Sequence, residues 1–374
     1  MDRRTFLANS LYGTGAWFMG YGPQALADGD DLNIFVIMLK GGMDGIAAVQ
    51  PKQKNRLLKI RKDCLIKGGN ALDSDFDLHP KLSNFHKIWR KNNAGIVHAS
   101  GFDYDGRSHF DGQNIMEGGY YKPYGGPSGW LGRAMELRGF SSLALDLPVP
   151  LICKSKALTT NYYPSKFQST GTAVSQLVNS LWEGDTGLEA VRMNSTATAA
   201  SFSRKRDAEH LAAEVARQMS KEGGPKVGVV EYSGFDTHAQ QGSDLGEHAG
   251  HLEKVDKIIK AFQRESTEVW NKTIVMTVTE FGRTVRQNGT RGTDHGIATA
   301  ILLAGGAISN SKVIADWPGL EDKELVINRD LRQTIDARDV YGDVLHRAFG
   351  LKKSVIKEKV FPGSQQRLDL GLFS

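Results

Sequence analysis

Short apolar runs that end abruptly in glycine or charge constrain this sequence more than any other feature. Thr273–Thr279 (TIVMTVT) and Thr299–Leu303 (TAILL) are rich in β-branched residues and of strand length, and the segment between them carries Glu280, Arg283, Asp294 and His295. Asn33–Leu39 (NIFVIML) has the same character and runs straight into KGGMDG. Val227–Val230 leads into EYSGFDTH, and Gly95–Ala99 leads into a loop dense in charge. A run that is apolar at every position, not at alternate ones, must be covered on both faces, as strands of a parallel sheet are when helices pack on either side. In such open sheets ligands bind beyond the carboxyl ends of the strands.

The segments between these runs carry helical periodicity. Leu82, Phe85, His86 and Trp89 stand at helical spacing within residues 78–90, and helices are predicted at 174–182, 186–220, 245–262 and 338–349, with a further helix entered at Gly129-Trp130. Val149–Cys153 reads as another strand. Alternation of strands and helices predicts an α/β fold with a central, mostly parallel sheet, in one domain spanning residues 28–374. Residues 157–224 are polar and poor in strands, and read as a helical insertion over or beside the sheet.

The amino terminus has its own chemistry. Arg3-Arg4-Thr5-Phe6-Leu7 precedes a weakly apolar, glycine-containing stretch and then Ala25-Leu26-Ala27, the pattern of a twin-arginine export signal (residues 1–27) cleaved before Asp28. The apolar run falls short of the ~20 residues a membrane span needs. The expected product is therefore periplasmic or secreted, a client of the twin-arginine export machinery, with no stable membrane anchor after cleavage. The net charge of +5 is mild, and no basic run is interleaved with aromatics, which argues against a nucleic-acid partner. Cys64 and Cys153 are the only cysteines; in an oxidising compartment they either pair or stay free, and their spacing does not decide which.

Candidate chemistry gathers at the strand ends. Asp44 either shapes the glycine turn after the first strand or offers a metal carboxylate. Ser108 and His109 stand where a helix begins, within Ser100–Gly119. There Ser108 is either an N-cap or an oxygen nucleophile favoured by the free N–H groups of the helix start. Asp236 and His238, two apart in a turn, can ligate one ion from the same side. Glu280, Asp294 and His295 complete the set, while Arg283 and Arg107 could bind an anionic group through a planar guanidinium or simply pair with exposed acids. His79, His86 and His248 read as packing or capping residues. Carboxylates and imidazoles at a common sheet edge suit one or two divalent metals, with an oxygen nucleophile or water beside them.

The motifs GGMDG, LHPKL, SHFDGQ, GFDTH, TEFGRT and GTDHG, together with RRTFL, resemble the twin-arginine-exported proteins of the domain-of-unknown-function 1501 family. That family looks like a branch of the alkaline phosphatase and sulfatase superfamily. The resemblance implies a three-layer α/β/α sandwich and a metal-dependent site, with zinc the first choice and calcium, magnesium or manganese as alternatives. It places Asp44, Asp236, His238, Glu280 and His295 as metal ligands converging in one pocket, with Asp294 orienting His295. Ser108 falls in the loop that usually gives the nucleophile, with His109 as a neighbouring catalytic or ligand candidate. Two departures stand out: Phe281 occupies the position of the second member of an Asp-His pair, and neither cysteine lies in the C-x-P-x-R context of formylglycine sulfatases. The implied activity is hydrolysis of a small phosphate, sulfate or related anionic ester. The competing class is a non-catalytic periplasmic binding or assembly protein that keeps the fold around a degenerate metal site.

Overall fold

Successive residues of β1 (Asn33–Lys40) point into opposite layers, which explains why its run has no polar alternate positions. Ile34, Val36 and Met38 enter one core with Ile274, Met276, Val278, Ile301 and Leu303; Phe35, Ile37 and Leu39 enter another with Val275, Ala300 and Leu302. The computed structural model describes residues 31–145, 149–161, 207–363 and 370–373. The signal segment and the helix expected at 174–182 lie outside them.

Among the described residues the main sheet also contains β2 (Ala94–Gly101), β3 (Ser142–Ala144), β4 (Thr159–Asn161), β5 (Val227–Ser233), β6 (Thr273–Thr279), β7 (Thr299–Ala304), β8 (Lys312–Ile314) and β9 (Ile335–Asp336). Their order is β8-β2-β7-β6-β1-β5-β3-β4, with β9 also pairing with β2. β7 runs antiparallel to both of its neighbours, and every other pairing is parallel. This is the expected mostly parallel sheet. The reversal of β7 matters for the site, because the start of β7 then shares an edge with the carboxyl ends of β1, β2, β5 and β6.

The helices form the outer layers. One layer holds α3 (His109–Gly118), α4 (Trp130–Arg138) and α7 (Ala337–Phe349), whose Ile115, Met116, Trp130, Leu131, Tyr341 and Val344 fill the first core. The other holds α2 (Ser83–Trp89), α5 (Ala208–Met219) and α6 (Glu247–Glu265), which bury Phe85, Val215, Leu252, Ile259 and Phe262 against the opposite face. Phe35 of β1 stacks on Phe262 with ring centroids 4.3 Å apart. The result is the three-layer α/β/α sandwich. A smaller apolar cluster, including Ile46, Leu57, Ile60, Leu65 and Val285, caps the functional edge beneath α1 (Lys54–Arg61).

Three expectations are corrected in detail. Leu151–Cys153 is a single 3₁₀ turn following Pro150, not a strand. The helix expected from residue 78 begins at Ser83, because Phe76–Leu78 pairs with Val49–Pro51 in a small second sheet. The segment read as a helical insertion opens with β4, which extends the sheet edge, and closes with α5; residues 162–206 lie outside the described part. Cys64 and Cys153 are both buried free thiols. Among the described residues no helix is long and apolar enough to cross a membrane.

Candidate metal centre

His109 is the first residue of α3, and the preceding Ser108 is its N-cap, accepting from the Asp111 amide at 3.4 Å. The Ser108 side chain, read as a nucleophile or a cap, has the capping role in this geometry. It sets the direction in which His109 leaves the β2 end. His109 Nδ1 then meets Glu280 Oε1 at 2.8 Å, just beyond β6. Glu280 is buried, and it also accepts from the Gly41 amide at 2.9 Å, Gln113 Nε2 at 3.2 Å and Thr279 Oγ1 at 3.0 Å. Burial on its own raises the Glu280 pKa, but these donors, His109 first, bring it below the ordinary value. Hydrogen bonding to that carboxylate is in turn the main reason the His109 pKa is raised.

The other nitrogen of His109, Nε2, is buried without a hydrogen-bond partner and lies 3.3 Å from Asp236 Oδ2. Asp236 Oδ1 is 2.9 Å from His238 Nε2 and 3.0 Å from His295 Nε2, and those two imidazole nitrogens are 3.0 Å from each other. One atom each of His109, Asp236 and His295 can be chosen so that all lie within 4.8 Å. Three imidazoles, from beyond the ends of β2 and β5 and from the approach to β7, thus surround the Asp236 carboxylate, His109 at Oδ2 and His238 and His295 at Oδ1.

The far nitrogens fix what the near ones can do. His295 Nδ1 donates to the Arg107 carbonyl at 2.8 Å, and His238 Nδ1 donates to Asp294 Oδ1 at 3.1 Å, as His109 Nδ1 does to Glu280. A carbonyl or carboxylate only accepts, so the partner of each Nδ1 favours a proton there, and Nε2 is left to face Asp236 as the ligand atom when a cation lies between them. Three such nitrogens face a carboxylate, which is the arrangement in which imidazoles ligate a metal while a neighbouring acceptor holds the opposite ring nitrogen. The Asp236 carboxyl is raised by burial, but the buried Arg283, His295 and His238 bring it down to about 2, so it is ionised. Three nitrogens and one carboxylate oxygen form a set suited to zinc.

Of the residues expected to converge, Asp236, His238 and His295 do so and His109 joins them. Glu280 stands one layer behind, bonded to His109, and Asp294 bonds to His238, not to His295 as expected. Asp44 departs from the expected pocket. It caps the short helix Gly45–Ala48, pairs with the buried Arg61 and accepts from Gln241 Nε2 at 2.7 Å, so its oxygens are occupied by protein donors. Arg283, expected to bind an anion, has a fully buried side chain. It donates to Asp236 Oδ1 at 2.6 Å, to Thr293 Oγ1 at 3.2 Å, to the Gly41 carbonyl at 3.3 Å and to the Thr293 carbonyl. Phe281 is buried against His109 and His295, with centroids 5.0 and 4.9 Å away. It gives the cluster an apolar floor where a further ligand was expected.

Sequence reading missed Gln241, Thr237 and Thr293, which no periodicity or metal-ligand spacing marks. It also took GGMDG as a frame for Asp44, whereas its first two glycines serve packing. Gly41 has φ +115°, and a Cβ there would lie 2.5 Å from the Asp236 amide nitrogen; a Cβ on Gly42 would meet the Phe281 ring at 2.7 Å.

The model of the family described as protein of unknown function DUF1501 matches residues 158–360 of the chain. The chain belongs to the DUF1501 family. Sequence comparison of this DUF1501 protein with curated proteins finds no match. Among solved structures it is similar to the lipoteichoic acid synthase LtaP from Listeria monocytogenes at 11% identity, covering 96% of this chain and 81% of that one, with a TM-score of 0.45. A protein in the alkaline phosphatase superfamily from Vibrio parahaemolyticus aligns at 10% identity over 84% of this chain and 72% of that one, with a TM-score of 0.39. The C-terminal periplasmic domain of EcEptC from Escherichia coli, a zinc complex, aligns at 12% identity over 76% and 77%, with a TM-score of 0.37.

Proposed function

We propose that this DUF1501 protein is an exported, metal-dependent hydrolase of small phosphate, sulfate or related anionic esters, with an alkaline phosphatase-like site reduced to a single cation. The observation that carries this reading is the convergence of the Nε2 atoms of His109, His238 and His295 on Asp236 while each Nδ1 is held by an acceptor. A divalent cation held there would supply Lewis acidity to an ester oxygen and to an attacking water.

The chain's own groups do the rest. Glu280, Asp294 and the Arg107 carbonyl fix the ring planes and keep the protons on Nδ1. Arg283 fixes one oxygen of Asp236 and keeps that carboxylate ionised. Phe281 excludes water from one side of His109 and His295. The Asp236 and His238 side chains are 42% and 45% exposed, so the cluster faces solvent and a small ester can reach it. Ser108, with its oxygen engaged as the α3 cap, favours water over the serine hydroxyl as the attacking group.

The packing of Phe281 against two of the imidazoles also favours a second reading, a cation-dependent binding or assembly protein without turnover. Assay of the purified protein on aryl phosphate and aryl sulfate esters, with and without a chelator, separates the two. Turnover abolished by the chelator and by His295→Ala supports the hydrolase. Cation binding without turnover on any ester supports the binding protein.

A further inference from the structure

Beneath the cluster lies a buried polar chain that none of the proposed ligands accounts for. Gln241 is fully buried. Its Oε1 accepts from Thr293 Oγ1 at 2.6 Å and Thr237 Oγ1 at 3.0 Å, and its Nε2 donates to Asp44 Oδ2 at 2.7 Å. Thr237 stands between Asp236 and His238 in sequence, and Thr293 precedes Asp294 and His295. One amide oxygen therefore joins the two loops that deliver three of the four converging side chains. The Thr293 amide also donates to the Thr237 carbonyl at 3.1 Å, so the loops meet through backbone as well.

An amide can be inserted in two orientations, and only one works here. The NH₂ end must face an acceptor and the oxygen must face the two hydroxyls. Asp44 imposes that choice, because an ionised carboxylate only accepts. Asp44 is itself held by Arg61, whose guanidinium reaches both of its oxygens, and both residues are buried. Thr293 passes the constraint on: its Oγ1 accepts from Arg283 Nε at 3.2 Å, and Arg283 NH1 reaches Asp236 Oδ1 at 2.6 Å. Arg61, Asp44, Gln241, Thr293, Arg283 and Asp236 thus form an unbroken series of hydrogen bonds from α1 to a proposed ligand.

We propose that Gln241, oriented by the buried Asp44–Arg61 pair, is a positioning residue that clamps the 236–238 loop to the 293–295 loop and so sets the geometry of the cation site. This rests on the cation-site reading for its functional meaning, while the clamp itself is a structural claim. Groups that fix the orientation of metal ligands typically change affinity by about 10- to 100-fold when removed.

Two variants of the full-length chain test it, with a conservative control. Gln241→Leu removes the amide, Thr293→Val removes one hydroxyl at nearly constant volume, and Thr293→Ser restores it. Zinc affinity is read by competition with a chromogenic chelator, and amide hydrogen exchange is followed at residues 236–238 and 293–295. The expected result is a loss of zinc affinity of about tenfold or more in Gln241→Leu and Thr293→Val, faster exchange confined to the two loops, and near wild-type behaviour in Thr293→Ser. Unchanged exchange in both loops of folded Gln241→Leu and Thr293→Val overturns the clamp, as does equal loss in Thr293→Val and Thr293→Ser. Faster exchange with unchanged zinc affinity overturns its role at the cation site. If the wild type binds no zinc, the cation reading falls, and the exchange measurement still decides the clamp. Should Gln241→Leu fail to fold, the Thr293 pair carries the test alone.

Discussion

His109 Nδ1 lies 2.8 Å from Glu280 Oε1, so a buried glutamate holds the imidazole whose other nitrogen faces Asp236. The two residues are 171 positions apart, one opening α3 and the other just beyond the end of β6. Glu280→Gln keeps the shape and removes the charge that holds the proton on Nδ1. Zinc affinity is expected to fall by about 10- to 100-fold with the far-ultraviolet circular dichroism unchanged. Unaltered affinity in the folded variant would mean that Glu280 does not orient a ligand.

Asp44 is predicted to matter for stability more than for the cation. Burial on its own raises its carboxyl pKa, but Arg61 and His248, with hydrogen bonds from Arg61 and Gln241, hold it at about 2 against an ordinary 3.8. A depressed carboxylate contributes stability that is fully present above pH 3.8 and is lost as pH falls through about 2. Asp44→Ala leaves the Arg61 charge buried and unpaired, which costs about 3–5 kcal/mol. Urea denaturation at neutral pH reads this directly, and a change under about 1 kcal/mol would show that the pair is replaceable by water.

His98 gives the fold a second acid sensitivity, one that sets in at higher pH. It is fully buried, donating from Nε2 to the Val49 carbonyl at 2.8 Å and accepting at Nδ1 from the Ala99 amide at 2.7 Å, so both nitrogens are satisfied in the neutral ring. Burial is the main cause of its depressed pKa, about 4 against 6.5. Between these values the unfolded chain binds the extra proton, so stability is full above pH 6.5 and falls as pH drops toward 4, by up to about 3 kcal/mol. Denaturant midpoints measured from pH 7 to 4.5 should decline in the wild type and decline less in His98→Gln. Parallel slopes would remove His98 from the account.

Gly41 should tolerate no side chain. Its φ of +115° disfavours any L-residue, and an added Cβ would meet backbone atoms of Phe235 and Asp236 at under 3.0 Å. Gly41→Ala is expected to destabilise by about 1–3 kcal/mol and to weaken zinc binding, because Asp236 moves with its backbone. Gly289, with nothing near its Cβ, is the control position. Equal effects at the two sites would contradict a packing role for Gly41.

The layers of this fold were legible because burial on both sheet faces leaves its mark on every residue of β1, β6 and β7. The small second sheet was not, since Phe76–Leu78 is too short to declare a period. At the site, Asp236, His238 and His295 were readable from residue type and position at strand ends. Asp44 looked equivalent by the same criteria, yet a buried arginine 17 residues later claims it, and nothing in the pattern of Lys54–Arg61 announces that one of its cations points inward. The direction of β7 was also hidden: a strand run has no polarity until its neighbours are known. His109 was legible as a ligand candidate next to Ser108, but not that the cap role of the serine is what starts the helix carrying it.

The central claim is that His109, Asp236, His238 and His295 hold one divalent cation. Its most direct test is the metal content of the purified, chelator-stripped and zinc-reconstituted protein, measured by elemental analysis against protein concentration. The account predicts about one zinc per chain, lost in His238→Ala and His295→Ala and retained in Gly289→Ala, where an added Cβ meets nothing. Binding of no zinc by the folded wild type, or retention of stoichiometric zinc when both histidines are replaced, would contradict it.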